Sequence, residues 1–341
     1  MIWLTWRQFR AQALFGLGAL LVIAAFLTYL GADIRDGFDA YRATCDDGGD
    51  CARARDQFES AHKNPLLFVA AGLGLVPAVI GTFWGAPLIA RELETGTHRL
   101  VWNQSVTRRR WLLTKVLVVG LAAVVFTGTA AALLTWAAHP FDEIAENRFG
   151  AVEFGARDVV PFGYAALAFT VGTVSGLLLR RTLPAMAVTL VGFIAFQFFF
   201  PNVVRPDLMP PQTAQLPMTV QAINGAKNLG SIAGGAVING VRIPNAPDAW
   251  IADTSPLRTA NGATLDEATF GDCLDSPPKT GADGTFGDTA VCLAKHDLHV
   301  EVRYHPGSRY WIFQGLESAI YLVLSALLTA FGLWRIQRRT S

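Results

Sequence analysis

Charge is what this chain has least of. Only 16% of its 341 residues are Asp, Glu, Lys or Arg, against 52% apolar residues and a mean hydropathy of +0.34. Soluble globular domains carry about 25% charged residues, so an ordinary water-soluble fold is excluded. Lysine is rarer still, 5 against 23 arginines, and with plentiful Ala, Gly and Val this bias points to a GC-rich bacterial genome. No G-x-x-x-x-G-K-[ST] run occurs. The chain therefore has no loop of its own to cradle ATP, and any energy from ATP must come through a separate polypeptide. Ser-His-Asp and paired-carboxylate patterns are not discernible either, which leaves an enzyme reading without a centre. A gradient-driven carrier buries ionisable residues along its path, and Glu317 is the one firm candidate inside an apolar run.

What the chain does have is long apolar runs. A hydrocarbon core about 30 Å thick needs roughly 20 apolar residues of helix. Six stretches qualify: 13–31, 65–90, 116–138, 159–179, 182–200 and 310–334. The second is long enough to tilt, and Pro77 and Pro87 should kink it. The first is too long for a cleavable signal, and no small-residue site closes it. The predicted fold class is an all-α polytopic membrane protein. It has six transmembrane helices and a loop-rich extracytoplasmic domain between helices 5 and 6. Residues 1–200 hold helices 1–5 with a cytoplasmic connector at 91–115, residues 201–309 form the outer domain, and 310–341 form the last helix and a basic tail.

The net charge of +1 becomes informative once divided by topology. Segments 1–12, 91–115, 180–181 and 335–341 hold 13 Lys/Arg and 2 acids, whereas 32–64, 139–158 and 201–309 hold 15 Lys/Arg and 24 acids over far more residues. The positive-inside rule then puts both termini in the cytoplasm of a bacterial plasma membrane. Cys45, Cys51, Cys273 and Cys292 all fall in the segments assigned outside. That distribution suits disulfides in an oxidising compartment, with local pairing Cys45–Cys51 and Cys273–Cys292 favoured over the two other pairings.

Residues 1–12, with Trp3, Trp6 and Phe9 among Arg7 and Arg10, suit either a short interfacial helix or the cytoplasmic end of the first span. Residues 32–64 read as an acidic loop with helix-friendly stretches, and 139–158 as a short acidic loop. Residues 201–309 carry four prolines at their start and no clean two-residue or helical periodicity, so short strands and helices in a loop-rich cap are expected.

The connector is the most informative segment. Residues 88–102 predict an amphipathic helix, with Leu88, Ile89, Leu93, Leu100, Val101 and Trp102 apart from Arg91, Glu92, Glu94 and Arg99. Gly96 permits a break, and Thr107 restarts a helix with three arginines. Glu92 and Glu94, the only acids in the cytoplasmic set, suit docking to a basic cleft on a partner. Their alternative is pairing with Arg91, Arg99 or Arg108, which spacing alone favours.

The run Glu92-x-x-x-Gly96-Thr97, followed by Leu100, Ser105, Arg108-Arg109 and Lys115, resembles the signature of ABC-2 type transporter permeases. Gly163-Tyr164 through Gly176 with Arg180-Arg181-x-x-Pro184-Ala185-Met186 resembles actinobacterial members, as does His305-Pro306-x-Ser308-Arg309 with Gln314 and Glu317. The resemblance covers about two-thirds of the chain; residues 201–304 match no named pattern. It implies a six-helix permease half that pairs with a second permease, identical or not, and rests on an ABC ATPase. That partner subunit would bind the ATP and Mg, and this chain would bind no cofactor. The connector would be the coupling helix, with Glu92, Glu94, Gly96, Thr97, Arg99 and Arg108 at the ATPase.

Phe193, Phe196 and Phe200 share a helix face beside Gln197 and form either a constriction on a substrate path or a packing or lipid-facing stripe. Trp84, Thr82, Thr170 and Thr173 are weaker path candidates. Glu317 reads either as a carboxylate reaching the interface or pairing with Arg309, or as a polar contact on the exit path. His296-x-x-His299 near Cys292 and His305 has zinc-like composition, but an oxidised Cys292 leaves too few ligands, and no metal is expected. No nucleic-acid partner is expected. The reading is a permease subunit moving a hydrophobic or amphiphilic compound outward. The alternative is a membrane-anchored extracytoplasmic binding or sensor protein.

Overall fold

Among the described residues, six helices are long and apolar enough to cross a bilayer, and each covers one of the six expected runs to within a residue. The computed structural model describes residues 2–97, 107–145, 148–232 and 235–338. The chain divides into two compact units, one of Met1–Arg205 with Trp311–Ser341, the other of Pro206–Tyr310.

The first unit is helical. It comprises α1 (Ile2–Asp46), α2 (Cys51–Ile80), a π turn at Gly81–Gly85, α3 (Ala86–Glu94), α4 (Arg108–Ala145), the short α5 (Ala151–Ala156), α6 (Val160–Leu179), α7 (Thr182–Phe199) and, after the second unit, α11 (Tyr310–Arg338). Residues 2–12 continue α1 without a break, so they are the end of the first span and not a separate interfacial helix.

The expected loop at 32–64 is instead helix on both sides of a tight turn. At 1.5 Å per residue, α1 is about 68 Å long, twice a hydrocarbon core. The cause lies in apolar residues at helical spacing past the span. Leu27, Leu30 and Ile34 of α1 meet Phe58, Leu66 and Ala70 of α2 and Leu134, Ala138 and Phe141 of α4 in one buried cluster. Asp50 caps α2 by accepting from Arg53 N at 3.0 Å. Cys45 and Cys51 are bonded across the turn with Cα atoms 4.8 Å apart, well inside disulfide range. Helix α4 likewise runs on to Ala145 through Pro140, shortening the expected 139–158 loop.

Proline and glycine shape the second span. Pro77 lies inside α2, and four residues later the chain widens into the π turn, where Gly81 N reaches both Pro77 O and Ala78 O. Pro87 lies just after the π turn, at the second residue of α3, within the same continuous helical run Cys51–Glu94. The π turn packs backbone to backbone on α6. A Cβ on Gly172 would sit 2.2 Å from Gly81 O, and one on Gly85 would sit 2.6 Å from Phe169 O. Gly81/Gly85 and Gly172/Gly176 are two G-x-x-x-G pairs facing each other, the small-residue device by which helices in lipid approach closely.

The second unit corrects the all-α expectation. Strands β1 (Gln212–Pro217), β4 (Trp250–Thr254) and β5 (His299–His305) form an antiparallel sheet in the order β1-β5-β4, and β2 (Asn228–Ile232) with β3 (Gly235–Asn239) forms a hairpin. Short helices α8 (Val220–Asn224), α9 (Glu267–Asp275) and α10 (Gly287–Ala294) pack with them. Period-two alternation was in fact present in β5: Val300 and Val302 are buried between exposed Glu301 and Arg303. Leu216, Ile238, Leu257, Phe270, Leu293 and Val300 belong to one core. Cys273 on α9 and Cys292 on α10 are bonded, Cα atoms 5.6 Å apart.

Fully buried His305 ties this unit together. Its Nε2–H donates to Pro206 O at 3.0 Å, and its Nδ1 accepts from Arg309 Nη1 at 3.2 Å. Burial, and then the Arg309 and Arg303 charges, hold the imidazole below its usual pKa, although the Pro206 bond opposes them and Asp207 does so more weakly. The unfolded chain, titrating near 6.5, then binds the proton more readily than the folded one. The contribution of neutral His305 is complete above that value and is lost as pH falls below it. The thermal midpoint of the wild-type chain should drop more between pH 7.5 and 5.5 than that of His305→Gln. Equal drops would rule His305 out as the cause.

Candidate functional site at the base of the connector

Helix α3 carries the connector's first residues, and three features end it. Thr95 N and Thr95 Oγ1 both donate to Arg91 O, at 3.0 and 2.8 Å. Gly96 then takes φ +74°, the left-handed conformation that favours glycine after a helix. Residues 98–102 of the amphipathic helix expected over 88–102 lie outside the described residues, and α3 ends at Glu94, just ahead of the turn that Gly96 permits. Thr97 lies in the turn beyond it, and Arg99 falls outside the described residues. Helix α4 begins at Arg108, where Thr107 Oγ1 accepts from Arg110 N at 3.3 Å.

Both acids of α3 have partners within the chain that spacing alone did not suggest. Glu92 pairs with Lys115 Nζ of α4 and accepts from Gln8 Nε2 of α1 at 2.8 Å; Lys115 also donates to Gln8 Oε1 at 3.1 Å. The Lys115 ammonium is 3% exposed and lies 5.2 Å from the Trp111 ring centre, with Trp111 fully buried. An ion pair withdrawn this far from water holds its geometry tightly, because separating it strands a charge. Glu94 stays exposed but accepts from Thr182 N at 2.9 Å and Thr182 Oγ1 at 2.7 Å. Thr182 opens α7, whose flanking Arg181 supplies no cap, so Glu94 satisfies an orphan donor at the positive end of that helix. The last turn of α3 is thus bound to α1, α4 and α7. A cavity of about 470 Å³ lies beside it, walled by α1, α3 and Lys115.

A second polar centre joins the segment that follows α7 to α11. Arg205 pairs through Nε and Nη2 with both Glu317 carboxylate oxygens, and both side chains are 1% exposed or less. Tyr321 Oη donates to Glu317 Oε2 at 2.8 Å, Tyr164 stacks on Tyr321 with ring centres 4.7 Å apart, and the guanidinium lies 4.1 Å over the Phe154 ring. Glu317 therefore neither reaches the interface nor pairs with Arg309. One turn earlier, Gln314 Oε1 accepts from Val159 N and Val160 N, at 3.1 and 2.9 Å, and caps α6.

The phenylalanine stripe lies against this centre. Phe193 and Phe200 are buried; Phe193 packs on Tyr164, and Phe200 and half-buried Phe196 pack on Tyr321. Gln197 donates to Gly74 O at 2.6 Å, in the turn before Pro77. Thr170 and Thr173 donate to carbonyls of their own helix. Cys273, Cys292 and His296 cluster within 4.8 Å, but the two sulfurs are bonded to each other and offer no thiolate to a metal.

A family model described as ABC-2 membrane transporter related matches residues 17–205. The chain belongs to that family. It is a multi-pass transporter membrane subunit, and membership implies an ABC transporter context with an ATPase partner. No curated protein and no solved structure matches it. The matched stretch of this ABC-2 subunit ends at Arg205, the last residue before its second unit, and takes in Glu92, Lys115 and Thr182. Gln8 and Glu317 fall outside it.

Sequence reasoning passed over Gln8, Thr182, Arg205 and Tyr321, which supply the partners. Only the two G-x-x-x-G pairs left a local signal. Residues that meet across 84 positions, as Gln8 and Glu92 do, leave none.

Proposed function

We propose that the chain is the permease subunit of an ATP-driven ABC exporter, coupled to its ATPase through the 91–110 connector and moving a hydrophobic or amphiphilic compound outward. Both termini and the connector face the cytoplasm, and the Pro206–Tyr310 unit faces outward. A second permease copy or homologue completes the pathway. One observation supports this reading above others. The helix that leads into the connector is bound by Glu92 and Glu94 to α1, α4 and α7 at once. Closure of the partner ATPases displaces the connector, and these carboxylates pass the displacement to three spans. The energy enters as the ATPase's different affinities for two arrangements of the bundle. In this role the acids transmit force within the permease, and docking falls to the exposed turn beyond them.

Co-purification with an ABC ATPase encoded beside this chain tests the reading. The wild-type chain should retain the ATPase on a column. Gly96→Val, which forces a β-branched residue to positive φ, should lose most of it. Glu92→Gln should retain it, because the lost interaction lies inside the permease. Failure of the wild-type chain to hold any ABC ATPase would sink the proposal. The sensor alternative draws on the separate core of the Pro206–Tyr310 unit and predicts ligand capture by that unit with no ATPase retained.

A further inference from the structure

The cavity beside the α3 clamp has an unused cation. Its volume is about 470 Å³, within the range of about 300–1,000 Å³ that small-molecule sites occupy. Lys115 lines it with Nζ already committed to Glu92 and Gln8, so that ion pair contributes no net charge. Arg91 lines it one position before Glu92 and is exposed; among the described residues its guanidinium has no hydrogen-bond or ion-pair partner. The cavity is therefore net positive. Thr97, in the turn beyond α3, adds a hydroxyl to the cavity lining.

The opposite character is present in the same space. Phe9, Pro87 and Leu88 line the cavity. One turn further along α1, Leu14 and Phe15 are 68% and 81% exposed, and Phe83, whose carbonyl accepts from Gln12 at 3.1 Å, is 52% exposed. A polar, cationic wall continuous with bare apolar helix surface is the pattern of an anionic amphiphile site. Trp3, Trp6, Arg7 and Arg10 on the first turns of α1 put this level at the membrane interface.

We propose that this cavity holds the phosphate headgroup of an anionic phospholipid from the cytoplasmic leaflet. Arg91 neutralises the phosphate, and the acyl chains lie along α1 beside Leu14 and Phe15. A bound lipid would sit against the same turn of α3 that carries the clamp, so leaflet composition would bias the connector. The site follows from the membrane topology proposed above and does not require ATP coupling.

Native mass spectrometry of the full chain in detergent tests this, with dioleoyl phosphatidylglycerol and dioleoyl phosphatidylcholine as probes. Retention of phosphatidylglycerol should exceed that of phosphatidylcholine, whose quaternary ammonium Arg91 disfavours. Arg91→Gln should lower phosphatidylglycerol retention roughly fivefold, as expected for one interfacial cation. Ala11→Phe should do so by filling the cavity at an exposed position without touching a charge. Arg109→Gln removes an equal charge nearby and should leave retention unchanged. Equal losses for Arg91→Gln and Arg109→Gln would reduce the effect to diffuse surface attraction and overturn the site. Displacement of the lipid by millimolar inorganic phosphate would assign the cavity to a soluble anion instead, and an unaffected Ala11→Phe variant would place the lipid elsewhere.

Discussion

Glu317→Ala should destabilise the membrane unit by about 3–5 kcal/mol, the penalty for leaving a buried charge without its partner. Arg205 is 1% exposed and Glu317 not at all, so the remaining guanidinium has no water to turn to. The Phe154 ring at 4.1 Å recovers only a fraction of that, since such contacts are worth at most about 2 kcal/mol. Arg205→Met alone should cost a similar amount, because Glu317 would keep the Tyr321 hydroxyl but lose its counter-ion. The double variant Arg205→Met/Glu317→Leu should recover most of the loss, since well-packed apolar residues often replace a buried pair at little cost. Thermal or denaturant unfolding of the detergent-solubilised chain gives the cycle. Additive single losses would mean that the two groups do not interact. If the stable double variant then fails to function, the pair serves something besides stability.

Gly172→Ala should have the next largest effect, about 1–3 kcal/mol or more. The added methyl group would lie 2.2 Å from Gly81 O and 2.9 Å from Ala86 N. Both obstacles are backbone, so no rotamer change relieves the contact and the two helices must separate. Separation also loosens Gly176, whose own Cβ position is 2.5 Å from Ala86 O. Gly192→Ala is the control. It lies mid-helix on α7 with nothing within 4 Å of the new methyl group, and should be neutral or slightly stabilising through helix propensity. A Gly172→Ala midpoint equal to that of Gly192→Ala would mean that the helices do not meet as described. Because the π turn feeds directly into α3, any residual Gly172→Ala protein should also show a displaced connector.

The candidate site was legible in outline and illegible in its contacts. Glu92, Glu94 and Gly96 stood out as acids and a helix breaker in a basic segment, and Gly96 does adopt the conformation its residue type permits. Helix α3 ends at Glu94 because the Thr95 cap and Gly96 outweigh the apolar spacing of Leu88, Ile89 and Leu93. Spacing alone pairs the acids with Arg91, Arg99 or Arg108, and the family resemblance turns them towards a partner; in the fold, Lys115 of α4 and the start of α7 hold them. Sequence proximity likewise offers Glu317 the cation Arg309, eight positions away, but Arg205 is the cation the fold brings into contact. The helical hairpin past the first span was misread as loop because acidic residues on its wet face masked the apolar stripe of Ile34, Phe58 and Leu66.

Composition and pattern alone determined that this is a membrane protein with six span-length apolar runs and a strongly basic connector, and favoured local pairing of its cysteines. Those properties depend on the hydrocarbon thickness and on residues close together in the chain. Which charges meet, which helix ends are capped from another helix, and where backbones touch were decided only by the tertiary structure. In a bilayer nearly all surfaces are equally apolar, so hydrophobicity places helices in the membrane but does not choose their neighbours. That choice falls to a few glycines and buried polar pairs whose partners lie far along the chain.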